Sequence, residues 1–214
     1  TTLLGAVLGG HSQVICVPEA RFFAEIWPSY VLEPDVRQAW NRIQRHRQFL
    51  KQWVFTAQEL DAVNLSIDQA TDYRSLVEKI IAVYAARSGK TGCLCWVDHT
   101  TKNIMHAPLL LDIFPEARFI HIIRDGRAAA NSMLKARFGP CTARQAAEKW
   151  AYEVACNFAV QQVLNRPDRF LNIHYEDFIT DSEESLHTIC GFAGIAFEPH
   201  LAAKQNYAVP VNNA

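Results

Sequence analysis

The sequence predicts an α/β fold: a layered domain with a parallel sheet flanked by helices. Three observations carry this. Four short apolar runs, Val14–Val17, Cys93–Val97, Phe119–Ile123 and Phe170–His174, are bounded by turn or charged residues. That is the pattern of strands buried on both faces of a parallel sheet. Helical periodicity fills the stretches between them, and strand–helix alternation implies right-handed crossovers in a layered domain. Finally, 214 residues that are 50% hydrophobic and 20% charged suit one globular domain, 1–214, with a sizeable core.

The elements follow in chain order. Thr1-Thr2-Leu3-Leu4 reads as the first turn of an apolar helix that ends at Gly9-Gly10. The run at Val14–Val17 leads through Pro18 into a helical pattern over Glu19–Ile26. Asp35–Val54 is helical, and the whole stretch from Pro34 to about Ala70 carries no strand. It reads as a helical insertion placed to cover a substrate cleft. Asp72, with Ser75 three residues on, marks the start of a helix to Arg87. Helical patterns then cover Lys102–Ile113, Arg127–Arg137, Thr142–Asn165 and Ser182–Phe192, the last opened by Asp181 with Glu184 three residues on.

Composition excludes several classes. Twenty-one Lys and Arg against 22 Asp and Glu leave a formal charge of −1, so no bulk field draws the chain to nucleic acid or an anionic membrane. An anion must be handled by a few placed residues. The apolar runs fall far short of the ~20 residues of a membrane span. Thr1–Gly10 lacks the basic leader and Met of a signal peptide, and a cytoplasmic location is expected. Cys16, Cys93, Cys95, Cys141, Cys156 and Cys190 are scattered without zinc spacing, so buried reduced thiols and no metal are expected. Asn64-Leu65-Ser66 is a glycosylation triplet of a kind that arises often by chance.

In open α/β sheets ligands bind at the carboxyl ends of strands, and four places there carry chemistry. At Arg124-Asp125-Gly126-Arg127 a strand ends in a turn that opens a helix reaching Ser132. Free N–H groups at a helix start and an arginine fork suit an anion; a capped helix with a surface Arg–Asp pair is the competing reading. Thr1 and Thr2 offer two hydroxyls at a helix start, for a phosphate or simply for capping. Glu19 follows a strand and is a candidate general base, or a charge favourable to a helix start; Phe22, Phe23 and Trp27 read as core. In Asp98-His99-Thr100-Thr101-Lys102, His99 and Lys102 stand at a strand tip, where Thr100 or Thr101 also suits an N-cap. Ser88-Gly89-Lys90-Thr91 is a decoy. A nucleotide P-loop needs glycine five residues before Gly89, where this chain has Tyr84, and a helical pattern rather than a strand precedes it.

Together these pieces resemble the sulfotransferase superfamily that uses 3′-phosphoadenosine 5′-phosphosulfate (PAPS), in particular its tyrosylprotein and heparan-type branch and bacterial relatives. Thr1-Thr2-Leu3-Leu4 is similar to the end of the family's Arg-Ser-Gly-Thr-Thr loop, the strand before it being absent from this sequence. His11-Ser12-Gln13-Val14 resembles a His-Pro-x-Val step, and Glu19-x-x-Phe22-Phe23 the pattern that carries the family's base. Phe114–Ile120 resembles the approach to the next strand. Arg124 to Ser132 is similar to the 3′-phosphate motif, and Trp150 and Tyr175-Glu176-Asp177 to later markers. His99 stands where the family often has Lys, and Thr101 where it usually has Pro.

The resemblance implies a three-layer, P-loop-like parallel sheet flanked by helices, and transfer of a sulfuryl group from PAPS to a hydroxyl or amine of an acceptor by in-line displacement. Glu19 would be the base, with His99 beside the bridging oxygen. Thr1, Thr2, Arg124, Ser132 and Tyr175 would hold the co-substrate, without a metal. The acceptor, a peptide, sugar, lipid or small metabolite, is not legible. Two alternatives stand: a P-loop nucleotide kinase, against which the missing Lys at the first helix argues, and a non-catalytic nucleotide-binding relative.

Overall fold

The computed structural model describes residues 2–27, 35–136 and 139–203. The chain divides into two compact units, Thr1–His106 with Ala203–Ala214, and Ala107–Ala202.

In the first unit, helix α1 (Thr2–Gly9) leads to strand β1 (Val14–Val17), which pairs in parallel with β2 (Cys95–Asp98), Val14 opposite Cys95 and Val17 opposite Asp98. α1 lies close against β1. A Cβ on Gly9 would come within 2.9 Å of the Cys16 Cβ, and one on Gly5 within 3.1 Å of its Sγ. Two helical glycines, each disfavoured by about 1 kcal/mol relative to alanine, are the condition for that approach.

The predicted helix over Glu19–Ile26 is instead a π-helical turn, Phe22–Ile26, entered through Arg21 in the left-handed region (φ 52°). The Asp35–Val54 pattern is two helices, α2 (Val36–Arg45) and α3 (Arg47–Gln52), broken at an extended His46. α4 (Ala57–Ile67) and α5 (Tyr73–Arg87) follow, each opened by a capping box, Thr56 with Glu59 and Asp72 with Ser75. The insertion is therefore helical, as its pattern predicts. Within it the Trp40 indole donates to the carboxamide of Asn64 at 2.7 Å.

The core of this unit is aromatic. Trp53 stacks on Phe49 at 5.5 Å and tilts against Phe22 at 5.4 Å, and Phe23 meets Tyr73 edge-on at 5.7 Å. The buried Tyr73 hydroxyl donates to the Phe22 carbonyl at 2.9 Å. α5 thus ties down the π-helical turn that follows Glu19. A 3₁₀ segment, Thr101–His106, closes the unit.

The second unit opens with α6 (Ala107–Ile113). Its strands β3 (Phe119–Ile123) and β4 (Phe170–His174) pair in parallel, from Phe119 opposite Phe170 to Ile123 opposite His174. Between them run α7 (Gly126–Leu134) and the 22-residue α8 (Ala143–Leu164). After β4 come α9 (Tyr175–Thr180) and α10 (Ser182–Ala193), the latter capped by Asp181.

Two expectations are corrected. Among the described residues the four strands form two parallel pairs, and only β1 is buried throughout; β2, β3 and β4 are half-buried. β3 and β4 carry polar His121 and Asn172, which meet each other at 3.1 Å, and Asn172 bonds Gln161 of α8. The thiols are all free, but only Cys16 and Cys190 are buried, and Cys141 is exposed just before α8. Among the described residues no helix is long and apolar enough to cross a membrane.

Candidate active site

In the second unit Arg124 and Tyr175 lie at the carboxyl tips of β3 and β4. Asp125 caps α7: its carboxylate accepts from the N–H of Arg127 at 2.9 Å and of Ala128 at 3.1 Å, and pairs with the Arg127 guanidinium at 3.1 Å. Those bonds, from the Arg127 side chain and the Ala128 N–H above all, hold the Asp125 carboxyl below its ordinary range. The competing reading of this motif, a capped helix with an ion pair, is therefore correct for Asp125 and Arg127.

It does not account for Arg124. Arg124 is half-buried, and its Nε is buried without a hydrogen-bond partner among the described residues. It has no ion pair among the described residues. It lies over the Tyr175 ring, Cζ 4.6 Å from the centroid, a cation–π arrangement that leaves its N–H edge free. The backbone N–H of Asp125 donates to Glu176 at 2.9 Å, so the tips of β3 and β4 are tied together. The Trp150 indole donates to the Arg124 carbonyl at 3.1 Å. Tyr175 thus stands directly beside Arg124. Ser132 lies farther along α7 with an exposed side chain.

In the first unit Glu19 follows Pro18, outside any helix, with its carboxylate 3.5 Å from the Arg21 guanidinium and about a third of its side chain exposed (29%). It is therefore not the first-turn charge of a helix. Arg21 also donates to Glu25 at 2.7 Å, and Glu25 is met by Lys102 and His46 at 3.4 Å each. Burial pushes the Glu25 carboxyl up, but the nearby Arg21 and Lys102 charges outweigh it and hold it low. A non-glycine residue at positive φ beside a carboxylate is the kind of strained backbone that clusters at functional sites.

His99 is 7% exposed, packs against α1 at Gly5, and has both ring nitrogens buried without a partner among the described residues. Its neighbours are fixed: the Asp98 carboxylate accepts from the Thr100 N–H at 2.9 Å, the Thr100 hydroxyl at 2.7 Å and the Asn103 amide at 2.8 Å. Asp98, rather than a threonine, organises the turn. Thr2 is the exposed first residue of α1, and Thr1 lies outside the described residues.

The decoy lysine has a structural role. Lys90 donates to the carbonyls of Gly9, His11 (2.8 Å) and Val14 (2.9 Å), and so holds the turn between α1 and β1. Beneath it, burial and the Asp98 charge, partly offset by Lys90, push the Cys16 thiol up to about 12. Arg21 and Asp98 were not singled out for these contacts by the sequence reading. An Asp two residues before a Thr at a strand end is the signal that could have marked Asp98.

A family model described as the sulfotransferase family matches residues 1–199. The chain belongs to this family. It is 28% identical over 202 residues to protein-tyrosine sulfotransferase 2 of Gallus gallus, covering 92% of this chain and 48% of that protein. Over 201 residues it is 26% identical to protein-tyrosine sulfotransferase 1 of Danio rerio, covering 91% and 50%. The chain thus spans about half the length of the curated relatives it matches. The sulfotransferase domain from the curacin biosynthetic pathway shares its fold, with a TM-score of 0.61 at 20% identity, covering 94% of this chain and 71% of the other. So does the sulfotransferase domain from the Synechococcus PCC 7002 olefin synthase, with a TM-score of 0.60 at 19% identity, covering 94% and 70%. The α/β sulfotransferase fold is thereby established for the chain. Among the described residues no group of three or more His, Cys, Asp or Glu is arranged to hold a metal.

Proposed function

We propose that this protein transfers a sulfuryl group from PAPS to an acceptor hydroxyl, with Glu19 as the general base. The observation that carries the reading is Arg124: a half-buried arginine at a strand tip, braced on Tyr175, with a buried Nε and no anionic partner among the described residues. A charged donor in that state fits a phosphate. Arg124 and Ser132 would grip the 3′-phosphate, with Tyr175 beside them, while Thr1 and Thr2 would serve the 5′ end at the start of α1. Bound there, the co-substrate supplies an activated sulfuryl group.

Transfer of this kind is loose and in line, so the protein contributes mainly positioning and charge stabilisation. Glu19, partly open to solvent and contacted by Arg21, would accept the acceptor proton. His99, with two ring nitrogens that have no partner among the described residues, would offer an N–H to the leaving oxygen. The names of the curated relatives support a protein tyrosine as the acceptor.

Thermal-shift measurement tests the reading. Adenosine 3′,5′-bisphosphate is expected to raise Tm without Mg²⁺, and Arg124→Ala to abolish most of that rise. Stabilisation only by ATP with Mg²⁺ would indicate a kinase. Binding of the bisphosphate with no transfer from PAPS to tyrosine peptides or other acceptors would indicate a non-catalytic relative.

A further inference from the structure

Arg124 is held at two places. Tyr175 braces its guanidinium, and Trp150 holds its backbone. Trp150 sits on α8, with its indole N–H 3.1 Å from the Arg124 carbonyl. Its ring lies flush against Gly126, where an added Cβ would meet three ring carbons at 3.1–3.2 Å. A Cβ at 126 would press on the ring and push it back by a few tenths of an ångström, so glycine there lets the ring close on the turn.

No other side chain bonds the Arg124 backbone among the described residues. The Asp125 carboxylate is already taken by the α7 N–H groups, and Glu176 accepts from the Asp125 N–H, the opposite end of the peptide group whose carbonyl the indole holds. Arg124 stands one residue past the end of β3, at a turn rather than in the ladder. The orientation of that peptide group, and with it the direction of the Arg124 Cα–Cβ bond, rests on two side chains: the indole at the carbonyl and Glu176 at the N–H.

We propose that Trp150 is a positioning residue for Arg124, one that sets how strongly the protein distinguishes a 3′-phosphorylated adenine nucleotide from one without that group. This rests on the assignment of Arg124 to the 3′-phosphate, and the test separates the two. Calorimetric titration with adenosine 3′,5′-bisphosphate and with 5′-AMP gives a ratio of Kd values for the wild type, Arg124→Ala, Trp150→Phe and Gly126→Ala. Trp150→Phe keeps a ring against Gly126 and removes the donor. It is expected to weaken bisphosphate binding roughly three- to tenfold, the usual effect of one neutral hydrogen bond, and to leave 5′-AMP within about twofold. Gly126→Ala, which displaces the ring, is expected to act in the same direction.

A purely structural role for Trp150 would weaken both nucleotides alike or neither, and would overturn the proposal. If Arg124→Ala erases the preference while Trp150→Phe and Gly126→Ala keep the wild-type ratio, the positioning role fails and the Arg124 assignment stands. If Arg124→Ala itself keeps the preference, the assignment fails. Should Trp150→Phe lose its circular-dichroism fold, the Gly126→Ala ratio decides.

Discussion

The Arg124 guanidinium lies over the Tyr175 ring at 4.6 Å, bringing together the residue just past β3 and the first residue of α9. A ring face attracts the cation without using its N–H groups, so Arg124 is braced and still free to donate. Such pairs are worth about 0.5–2 kcal/mol. Tyr175→Ala is expected to weaken adenosine 3′,5′-bisphosphate binding by a factor on the order of 2–30. Tyr175→Phe should lose little through the brace, since the ring remains. Equal losses in both variants would shift the role of Tyr175 to its hydroxyl.

The Glu19 carboxylate shares Arg21 with Glu25. Glu19→Gln is expected to lower the rate of sulfuryl transfer by ~10²–10⁴, the usual worth of a positioned base, with bisphosphate affinity unchanged in titration. An undiminished rate would remove Glu19 from the chemistry. Arg21→Gly relieves the positive φ while deleting the guanidinium. A fall in transfer rate with unchanged or raised Tm would separate a functional arginine from a merely structural one.

Much of this was legible in the sequence because the signals are local. Asp72, Thr142 and Asp181 satisfy helix-start N–H groups within three residues, so the starts of α5, α8 and α10 follow from side-chain chemistry alone. Arg124 was legible as a candidate because a turn residue at a strand tip has few structural duties. The π-helical turn was not legible: Phe22–Ile26 has ordinary helical composition, and its register follows from Arg21 at positive φ and from the Tyr73 hydroxyl 51 residues away. The break at His46 has a similar origin, since its imidazole reaches Glu25 from a distant segment. The partial exposure of β2, β3 and β4 was hidden as well, because apolar runs do not reveal how many strands stand beside them.

Lys90 donates to three carbonyls at the junction of α1 and β1, those of Gly9, His11 and Val14. Its charge also suits the carboxyl end of a helix. Lys90→Met keeps the apolar stem and removes the donors. It is expected to destabilise the protein by about 1.5–3 kcal/mol, the scale of hydrogen bonds to a charged group. At about 2–4 °C per kcal/mol for a chain of this size, differential scanning calorimetry would record a drop of several degrees. The variant should still bind adenine nucleotides. Unchanged Tm would mean that water replaces the ammonium group without cost.

His121 makes stability depend on pH in the second unit. Burial, only partly offset by the Asn172 hydrogen bond, holds its imidazole below the ordinary value of 6.5. The unfolded chain therefore takes up the proton first as pH falls. The contribution of neutral His121 is full above about pH 6.5 and is lost as pH drops through the lower folded value. His121→Gln keeps a polar group beside Asn172 and removes the titration, so the difference in Tm between pH 7.5 and pH 5.5 is expected to shrink. His106, held low by burial and by the Lys102 charge in the first unit, adds to the wild-type slope. Only the change between wild type and variant belongs to His121, and a variant with the full wild-type slope would assign the dependence elsewhere.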